Sequence, residues 1–320
     1  MVNDEPNSRD VSVSVEKPSA PPRSELQAAR SGSVVAPLSQ VAVIEFSGPD
    51  AESFLQGQLT CDVESLRATA SYGAWCSPQG RMLASLLLWR GDAGFLMALR
   101  ADIAAGVQQR IARYVLRAKV AIARAPLALI GVSGADAVPG AELEARASGA
   151  ETRIRLDAAR HLLVVPEAAA EARIAELAAR STRVSAAAWD WLDVRAGIPW
   201  ISAATQDRLV PQMVNLERIG GVSFTKGCYT GQEIVARAQH RGTVKRRMFL
   251  AHVDAGSAAG DELYGEDLGD QAAGLVVNAA ASPDGGTDLL ASVNTASRES
   301  STVRLRGLDG PVLRFLPDPP

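Results

Sequence analysis

The 320-residue sequence contains few cysteines, histidines and aromatic residues. Its three cysteines, Cys61, Cys76 and Cys228, lie far apart and form no CxxC pair, which argues against a disulfide framework and favours a reducing, cytoplasmic compartment. No two of its three histidines lie four residues apart, and three thiols do not complete the four-thiolate ligand set of an iron–sulfur cluster. We therefore expect no permanent metal site in the chain.

The sequence also lacks a large excess of one sign of charge and a long uninterrupted hydrophobic run. The 33 Lys and Arg residues against 36 Asp and Glu residues give a formal net charge of −3, which excludes a global basic field for nucleic-acid binding. The apolar stretch over residues 86–99 is broken at Arg90, Gly91 and Asp92, and it falls short of the roughly 20 residues that a membrane helix needs. The sequence thus predicts no membrane span, and any RNA contact must come from a local patch.

The apolar pattern divides the chain into three regions. Residues 1–35 mix charged residues with prolines, lack the apolar centre of a signal peptide, and are predicted to form a disordered tail. Strands and helices alternate over residues 36–243, with strands predicted at 41–46, 83–89, 95–99, 127–132 and 162–165 and helices at 51–56, 102–117 and 167–180. Short apolar runs between Gly, Pro and Asp clusters over residues 244–316 predict an all-β domain, a small barrel.

The densest candidate site is the motif KGCYTGQE at residues 226–233. Thr230 and Glu233 have the spacing of a capping box, which predicts a helix whose positive end lies close to Cys228. Together with the charge of Lys226, this position favours the nucleophilic thiolate. The alternative is a small structural cysteine in a glycine-rich turn, and spacing alone leaves both open. The residues predicted to support the turn are Tyr229, Gly231, Gln232 and Glu233.

This motif and several other segments together resemble the YgfZ family. In chain order the others are FLQGQLT at 54–60, SPQGRM at 77–82, DVRAGIPW at 193–200, PQMVNL at 211–216, GGVSFT at 220–225 and GLVVN at 274–278. They span about residues 38–316, and the eight-residue cysteine motif is specific enough to make a chance match very improbable.

The resemblance implies an α+β fold related to the aminomethyltransferase (T protein) of the glycine cleavage system, with a ring of domains around a folate-sized channel and a C-terminal β-barrel. It implies tetrahydrofolate or a derivative as cofactor, with Trp189, Arg195 and Asp62 at the folate site. A packed core role is the alternative for Trp189. The implied activity is that of a folate-binding accessory protein in assembly or repair of iron–sulfur enzymes such as radical tRNA methylthiotransferases.

Two departures from the T-protein pattern limit this inference. The acidic catalytic pair of T proteins is missing, because its positions fall near Ala84 and Ser85 and no carboxylate lies between Gly80 and Asp92. Arg195 stands where T proteins carry the acid that grips the pterin, and it donates hydrogen bonds where an acid would accept them. The sequence therefore leaves open whether the protein catalyses any reaction, and a folate-dependent one-carbon transferase is one alternative.

A direct tRNA-binding protein is the other alternative. It rests on two basic stretches, which equally match ordinary solvated faces. These stretches contain Arg110, Arg113, Arg117 and Lys119, and then Arg237, Arg241, Lys245, Arg246 and Arg247.

Overall fold

The structure is a computed structural model, which describes residues 20–134, 140–240 and 244–317. Its helices are α1 (Arg23–Ser31), α2 (Ala51–Gln58), α3 (Ala101–Ala112), α4 (Ala170–Ala178), α5 (Ala186–Arg195), α6 (Gln232–His240) and α7 (Thr295–Ser300). Its strands are β1 (Val34–Pro37), β2 (Val41–Ser47), β3 (Ser71–Cys76), β4 (Met82–Arg90), β5 (Gly94–Arg100), β6 (Ala121–Arg124), β7 (Leu127–Ser133), β8 (Ala145–Ser148), β9 (Glu151–Arg155), β10 (Arg160–Pro166), β11 (Thr182–Arg183), β12 (Arg246–Val253), β13 (Glu262–Gly265), β14 (Ala272–Ala281), β15 (Thr287–Asn294), β16 (Val303–Leu305) and β17 (Arg314–Phe315).

In the described part of the chain these strands form three sheets. The first has the order β3-β4-β5-β2-β6 and packs against α2 and α3. The second has the order β11-β1-β7-β10-β9-β8 and is antiparallel except where β1 lies parallel to β11. The third, β16-β13-β14-β15-β12-β17, is an antiparallel sheet that curls into a half-barrel. The predicted α+β fold is confirmed, and the C-terminal region consists of this sheet with the short helix α7 packed against β15.

Helix α5 connects the three sheets. It packs against α1 and β1 on one side and against β14 and β15 of the third sheet on the other. Its tryptophans, Trp189 and Trp191, are both buried. A helix enclosed by apolar partners on several sides lacks the single apolar stripe of a surface helix. Residues of α5 therefore face the interior in more than one direction, and this arrangement positions the site described below.

Most elements predicted from the apolar pattern are confirmed. The predicted strands correspond to β2, β4, β5, β7 and β10, and the alanine-rich helix begins as a 3-10 turn at Glu167–Ala169 and continues as α4. The helix predicted at 102–117 ends early, at Ala112. The next three amides bond to carbonyls three residues back, and Leu116 takes a φ of 47°, which an α-helix does not allow. Helix α2, predicted over 51–56, continues through Gly57 to Gln58.

The prediction of a disordered tail over residues 1–35 is wrong for its second half. Helix α1 occupies Arg23–Ser31 and strand β1 begins at Val34, while residues 1–19 lie outside the described residues. The helix buries Leu26 and Ala29, and Glu25 accepts a hydrogen bond from the amide of Ser185, the residue that caps α5. Two apolar residues in a polar segment give little sequence signal, because the partners that stabilise them lie far along the chain.

Within the described ranges, every helix is too short or too polar to cross a membrane.

Candidate functional site

Helix α5 directs two pairs of side chains to different places. Trp189 and Asp193, four residues apart, lie on one face, while Trp191 and Arg195 lie on another. The first pair lines an internal cavity, and the second pair lines a cleft against the third sheet. The family resemblance grouped Trp189 with Arg195 at the folate site, and the structure places these two residues on different sides of the helix.

The internal cavity lies between the first sheet, the second sheet and α5. It has a volume of about 10 Å³, which is room for about one water molecule. Beside Asp193 and Trp200 it adjoins a second cavity of about 80 Å³. The walls of the inner cavity are mainly aromatic and aliphatic, including Leu38, Tyr72, Leu129, Leu162, Trp189 and Trp200. The outer cavity is more polar, with Arg100, Asp190, Ser202 and Asn278 in its walls.

Asp193 is the buried charged group that faces both cavities. Its Oδ1 accepts from Nη1 of Arg160 at 2.7 Å, and its Oδ2 accepts from the indole N–H of Trp200 at 2.9 Å. Arg160 also donates to Asp157 and lies with its guanidinium 5.8 Å from the ring centroid of Trp189. Burial raises the pKa of Asp193, and Arg160 opposes that shift. The result is a hydrogen-bonded acid beside aromatic rings in a water-poor space.

Gly131 on β7 allows Trp189 to occupy its position. A Cβ atom at residue 131 would lie 2.5 Å from the indole ring, well inside van der Waals contact. The indole therefore packs flat against the main chain of β7. Glycine is required at this position by close approach rather than by its backbone angles.

The loop after α5 forms the wall near Trp200, and two other elements hold it. Asn278 of β14 accepts from the amide of Trp200 at 2.9 Å and donates to its carbonyl at 2.8 Å. The hydroxyl of Ser85 on β4 accepts from the amide of Ile201 at 2.8 Å. Ser85 thus stands near the position of the T-protein acidic pair and serves here to anchor a loop.

The cysteine motif forms a second candidate site on the surface. Lys226 is half-buried, and its ammonium donates to three carbonyl oxygens, those of Gln56 at 2.6 Å, Leu59 at 2.8 Å and Cys61 at 2.8 Å. Burial lowers the pKa of Lys226, although the nearby Cys61, Asp62 and Glu64 counter the shift. All three ammonium hydrogens are engaged on the main chain of the last turn of α2 and the residues just after it. Lys226 therefore holds the turn to the main chain around the end of α2, and its predicted influence on the Cys228 thiol stays a prediction.

The start of α6 differs from the predicted capping box. The helix begins at Gln232, after Gly231, which has a φ of 82°. The side-chain carbonyl of Gln232 accepts from the amide of Tyr229 at 3.4 Å, and Glu233 pairs with Arg237 at 2.6 Å. Gly231 packs onto the SPQGR turn, because a Cβ there would lie 2.5 Å from the carbonyl oxygen of Ser77. Cys228 lies on a turn ahead of the helix, where the sequence pattern placed it.

The three cysteines have different surroundings. Cys228 is exposed, whereas Cys61 and Cys76 are buried. Burial raises the pKa of Cys61 to about 11 and that of Cys76 to about 12. Thiols with such values stay protonated at neutral pH and react slowly. Tyr229 next to Cys228 is buried, and burial raises its pKa above its usual range. The exposed thiol thus projects from a turn whose neighbours are packed into the protein.

The predicted site residues fall into three groups in space. Trp189 lines the internal cavity, Arg195 lines the cleft, and Asp62 lies with the cysteine motif. Asp62 lies near the cysteine turn and accepts a hydrogen bond from Gln56, so it is part of that surface rather than of the cavity. Arg195 is 41% exposed and lies 4.0 Å from Asp288. Sequence reasoning overlooked Asp193 and Arg160 as cavity residues, although Asp193 follows Trp189 by one helical turn. Among the described residues, no group of three or more His, Cys, Asp or Glu side chains is placed to hold a metal ion.

The fold has a counterpart among solved structures. The glycine cleavage system aminomethyltransferase T from Bartonella henselae matches with a TM-score of 0.72 and 18% sequence identity, over 92% of this chain and 87% of that one. A family model described as the GCVT N-terminal domain matches residues 16–140. The chain therefore has the aminomethyltransferase T fold.

Curated relatives define the family more narrowly. Three proteins each named "tRNA-modifying protein YgfZ" match over most of their length. The one from Edwardsiella ictaluri is 38% identical over 284 residues, covering 82% of this chain and 85% of the relative. The one from Yersinia pseudotuberculosis is 34% identical, covering 84% and 87%, and the one from Escherichia fergusonii is 34% identical, covering 78% and 79%. The chain belongs to the YgfZ family.

Proposed function

We propose that this protein is a folate-binding accessory protein for the assembly or repair of iron–sulfur enzymes, and that through those enzymes it supports the methylthiolation of tRNA. The cavity would hold tetrahydrofolate or a derivative, and Cys228 would meet the client enzyme. The observation that carries the proposal is the cavity formed by Trp189, Trp200 and Asp193 in an aminomethyltransferase T fold. The names of the YgfZ relatives support the connection to tRNA modification.

The residues of the cavity match the chemistry of a pterin ring. The indole of Trp189 offers a flat apolar face, and a buried carboxylate such as Asp193 accepts hydrogen bonds from N–H donors. The small volume of the inner cavity limits how a pterin can bind. Because the inner cavity holds about one water molecule, a pterin enters only when part of the wall moves. The loop over residues 198–202 belongs to no helix or strand, and although Ile198, Trp200 and Ile201 are buried, it is the wall element that we expect to move.

The exposed turn at Cys228 supports a role in contact with another protein. Lys226, Gln232 and Gly231 fix the turn from beneath, so the thiol is presented on a rigid base. One cysteine supplies one thiolate, which can exchange with a disulfide or add a single ligand on a partner protein. A rigid exposed thiol suits a transient contact of this kind better than it suits a resident metal site.

A one-carbon transferase is less well supported. Ser85 uses its hydroxyl to anchor the amide of Ile201, and Ala84 beside it is buried and apolar. No carboxylate from this strand reaches the cavity to move a proton during transfer. Detection of formaldehyde transfer to tetrahydrofolate would favour this alternative.

Direct contact with tRNA is the second candidate, and one specific observation favours it. In the described part of the chain Arg110, Arg113, Arg117 and Lys119 are exposed and form no ion pair with a carboxylate. Tyr114, which is 38% exposed, lies among them against Trp75. Unpaired cations around an exposed aromatic ring suit a nucleic-acid strand. Of the second basic stretch, Arg237 and Arg247 are paired with glutamates, and Arg241 lies outside the described residues.

The tRNA candidate is tested by salt-dependent binding of bulk tRNA to the protein. A triple variant with Arg110→Gln, Arg113→Gln and Arg117→Gln is expected to bind at least about tenfold more weakly at low salt, with a smaller salt slope. Equal affinity of parent and variant would exclude this surface.

The leading proposal is tested in a bacterial strain that lacks its own YgfZ protein. The level of methylthiolated tRNA is measured after complementation with the parent, with Cys228→Ala or with the control Thr225→Ala from the same exposed turn. We expect rescue by the parent and the control and none by Cys228→Ala. Equal rescue by all three would overturn the role of Cys228, and rescue by none would overturn the proposed pathway.

A further inference from the structure

The cleft on the far side of α5 is an open recess that the proposed function does not use. It has a volume of about 480 Å³ and lies where α1, α5 and the third sheet meet. Its polar lining includes Arg30, Arg195, His252, Asp284, Asp288 and Arg314. Helix α5 separates it from the cavity of Trp189, so the cleft and that cavity are distinct.

The floor of the cleft contains a hydrogen-bonded chain of polar groups, which are buried except for the last one, Asp254. Asp288 accepts from the indole N–H of Trp191 at 2.8 Å through Oδ2, and its Oδ1 lies 2.7 Å from Nδ1 of His252. Nε2 of His252 lies 3.0 Å from the carboxylate of Asp254. His252 and Asp288 face each other in register on β12 and β15 and are almost fully buried. Both oxygens of Asp288 are therefore already engaged within the floor.

The rim carries two guanidinium groups whose charges are poorly matched. Arg195 approaches a carboxylate no closer than 4.0 Å, at the Asp288 oxygen that already accepts from Trp191. Arg314 makes no ion pair within the described residues. Arg30 differs, because its Nη1 lies within 2.9 Å of both oxygens of Asp284. The cleft thus presents two available positive charges in a chain whose net charge is −3.

We propose that this cleft binds a small dianion, a phosphate monoester or a dicarboxylate, between Arg195 and Arg314. The planar guanidinium fork matches the oxygen pairs of phosphate and carboxylate groups, and such charge-assisted bonds are stronger than neutral ones. Over the whole lining, the arginines Arg30, Arg195 and Arg314 outnumber the carboxylates of Asp284 and Asp288, so the cleft keeps a positive charge that favours an anion. A recess of this size excludes a duplex nucleic acid and accepts a small molecule.

The test is calorimetric titration of the full chain at low ionic strength with inorganic phosphate and, separately, with glutarate. The parent is expected to bind at least one of them saturably with one site per chain. Arg195→Gln and Arg314→Gln should each weaken that binding by about tenfold or more, which is the size of one charge-assisted hydrogen bond. Arg314→Lys keeps the positive charge but loses the planar guanidinium group. Its affinity for the anion should therefore lie between those of the parent and Arg314→Gln.

The control is Arg218→Gln, which removes an exposed arginine outside the cleft and should leave binding unchanged. Binding of phosphate alone would define a phosphate site, and binding of glutarate alone would define a dicarboxylate site. Absence of saturable binding of both anions would overturn the proposal. So would parent-like affinity in both glutamine variants, provided that thermal unfolding shows them to be folded.

Discussion

Trp200 donates its indole N–H to the carboxylate of Asp193 at 2.9 Å, so the loop after α5 is tied to the buried acid of the cavity. The main chain of Trp200 is tied at the same time to Asn278 of the third sheet. The C-terminal sheet therefore holds part of the wall of the cavity that the first two sheets and α5 enclose.

Removal of the Asn278 side chain is expected to loosen that wall. In Asn278→Ala the amide and carbonyl of Trp200 each lose their partner, and a partly buried unpaired group of this kind costs about 1–3 kcal/mol. We expect a fall of that size in the free energy of unfolding, measured by urea denaturation. Gln109→Ala, at an exposed position of α3, is the control and should change the free energy of unfolding by less than about 0.5 kcal/mol.

The contact between Gly131 and Trp189 gives a second prediction. Gly131→Ala places a methyl group within the indole ring and should lower the free energy of unfolding by about 1–3 kcal/mol, as overpacking of cores does. Gly106→Ala is the matched control, because a Cβ at that position in α3 meets no atom within 4 Å. There the change should stabilise the protein by roughly 0.5–1 kcal/mol. If the two variants lost stability equally, the close approach of Trp189 would be wrong.

The burial of two of the three cysteines predicts selective alkylation. In the native protein at pH 8, iodoacetamide should modify Cys228 and leave Cys61 and Cys76 unmodified, because burial raises the pKa of these two thiols to about 11 and about 12. Peptide mass spectrometry reads the modified sites. Modification of all three thiols is expected only in denaturant, and Cys228→Ser should abolish native labelling. Native labelling at Cys76 would contradict the described packing.

His252 predicts a pH dependence of stability. Burial alone lowers the pKa of His252, but hydrogen bonds to Asp288 and Asp254 outweigh both burial and the charge of Arg314 and raise it above its ordinary value of 6.5. A histidine whose pKa is raised on folding adds stability in full below the unfolded value, and this stability is lost as pH rises through the folded value. Stability should therefore decline as pH rises above 6.5.

The comparison that isolates this contribution is His252→Gln. Urea denaturation of the parent and the variant at pH 6 and at pH 8.5 gives the change in the free energy of unfolding for each. The decline should be smaller in the variant than in the parent. An equal decline in both would assign the pH dependence to other groups.

The elements that sequence patterns predicted well are those with local signals. The β-branched runs of β2 and β7 and the hairpin of β4 and β5 carry their apolar period in a few residues. The partners of Lys226 are different, because its three carbonyl contacts lie 165–170 residues away and no spacing in the motif indicates them. The motif alone indicates an interaction between Lys226 and the neighbouring Cys228. In the structure the ammonium of Lys226 instead donates to main-chain carbonyls that are distant in sequence.

Helical periodicity could have separated the two faces of α5 in advance. Trp189 and Asp193 are four residues apart, whereas Trp189 and Arg195 are six apart and point in different directions. The resemblance to T proteins directed attention to Arg195, the position of the missing acid. The structure shows instead that the buried acid on the cavity side is Asp193, two residues earlier. The role of this acid depends on Arg160 and Trp200, which other elements supply.

The measurement that tests the account most directly is calorimetric titration of the protein with tetrahydrofolate under anaerobic conditions. The parent is expected to bind one molecule per chain. Trp189→Phe and Asp193→Asn should each weaken binding by about tenfold or more, since each removes a contact that only the cavity side of α5 provides. Trp191→Phe, on the other side of the same helix, should leave the affinity unchanged. Absence of saturable binding by the parent, or loss of binding in Trp191→Phe with none in Trp189→Phe, would contradict the assignment of the cavity as the folate site.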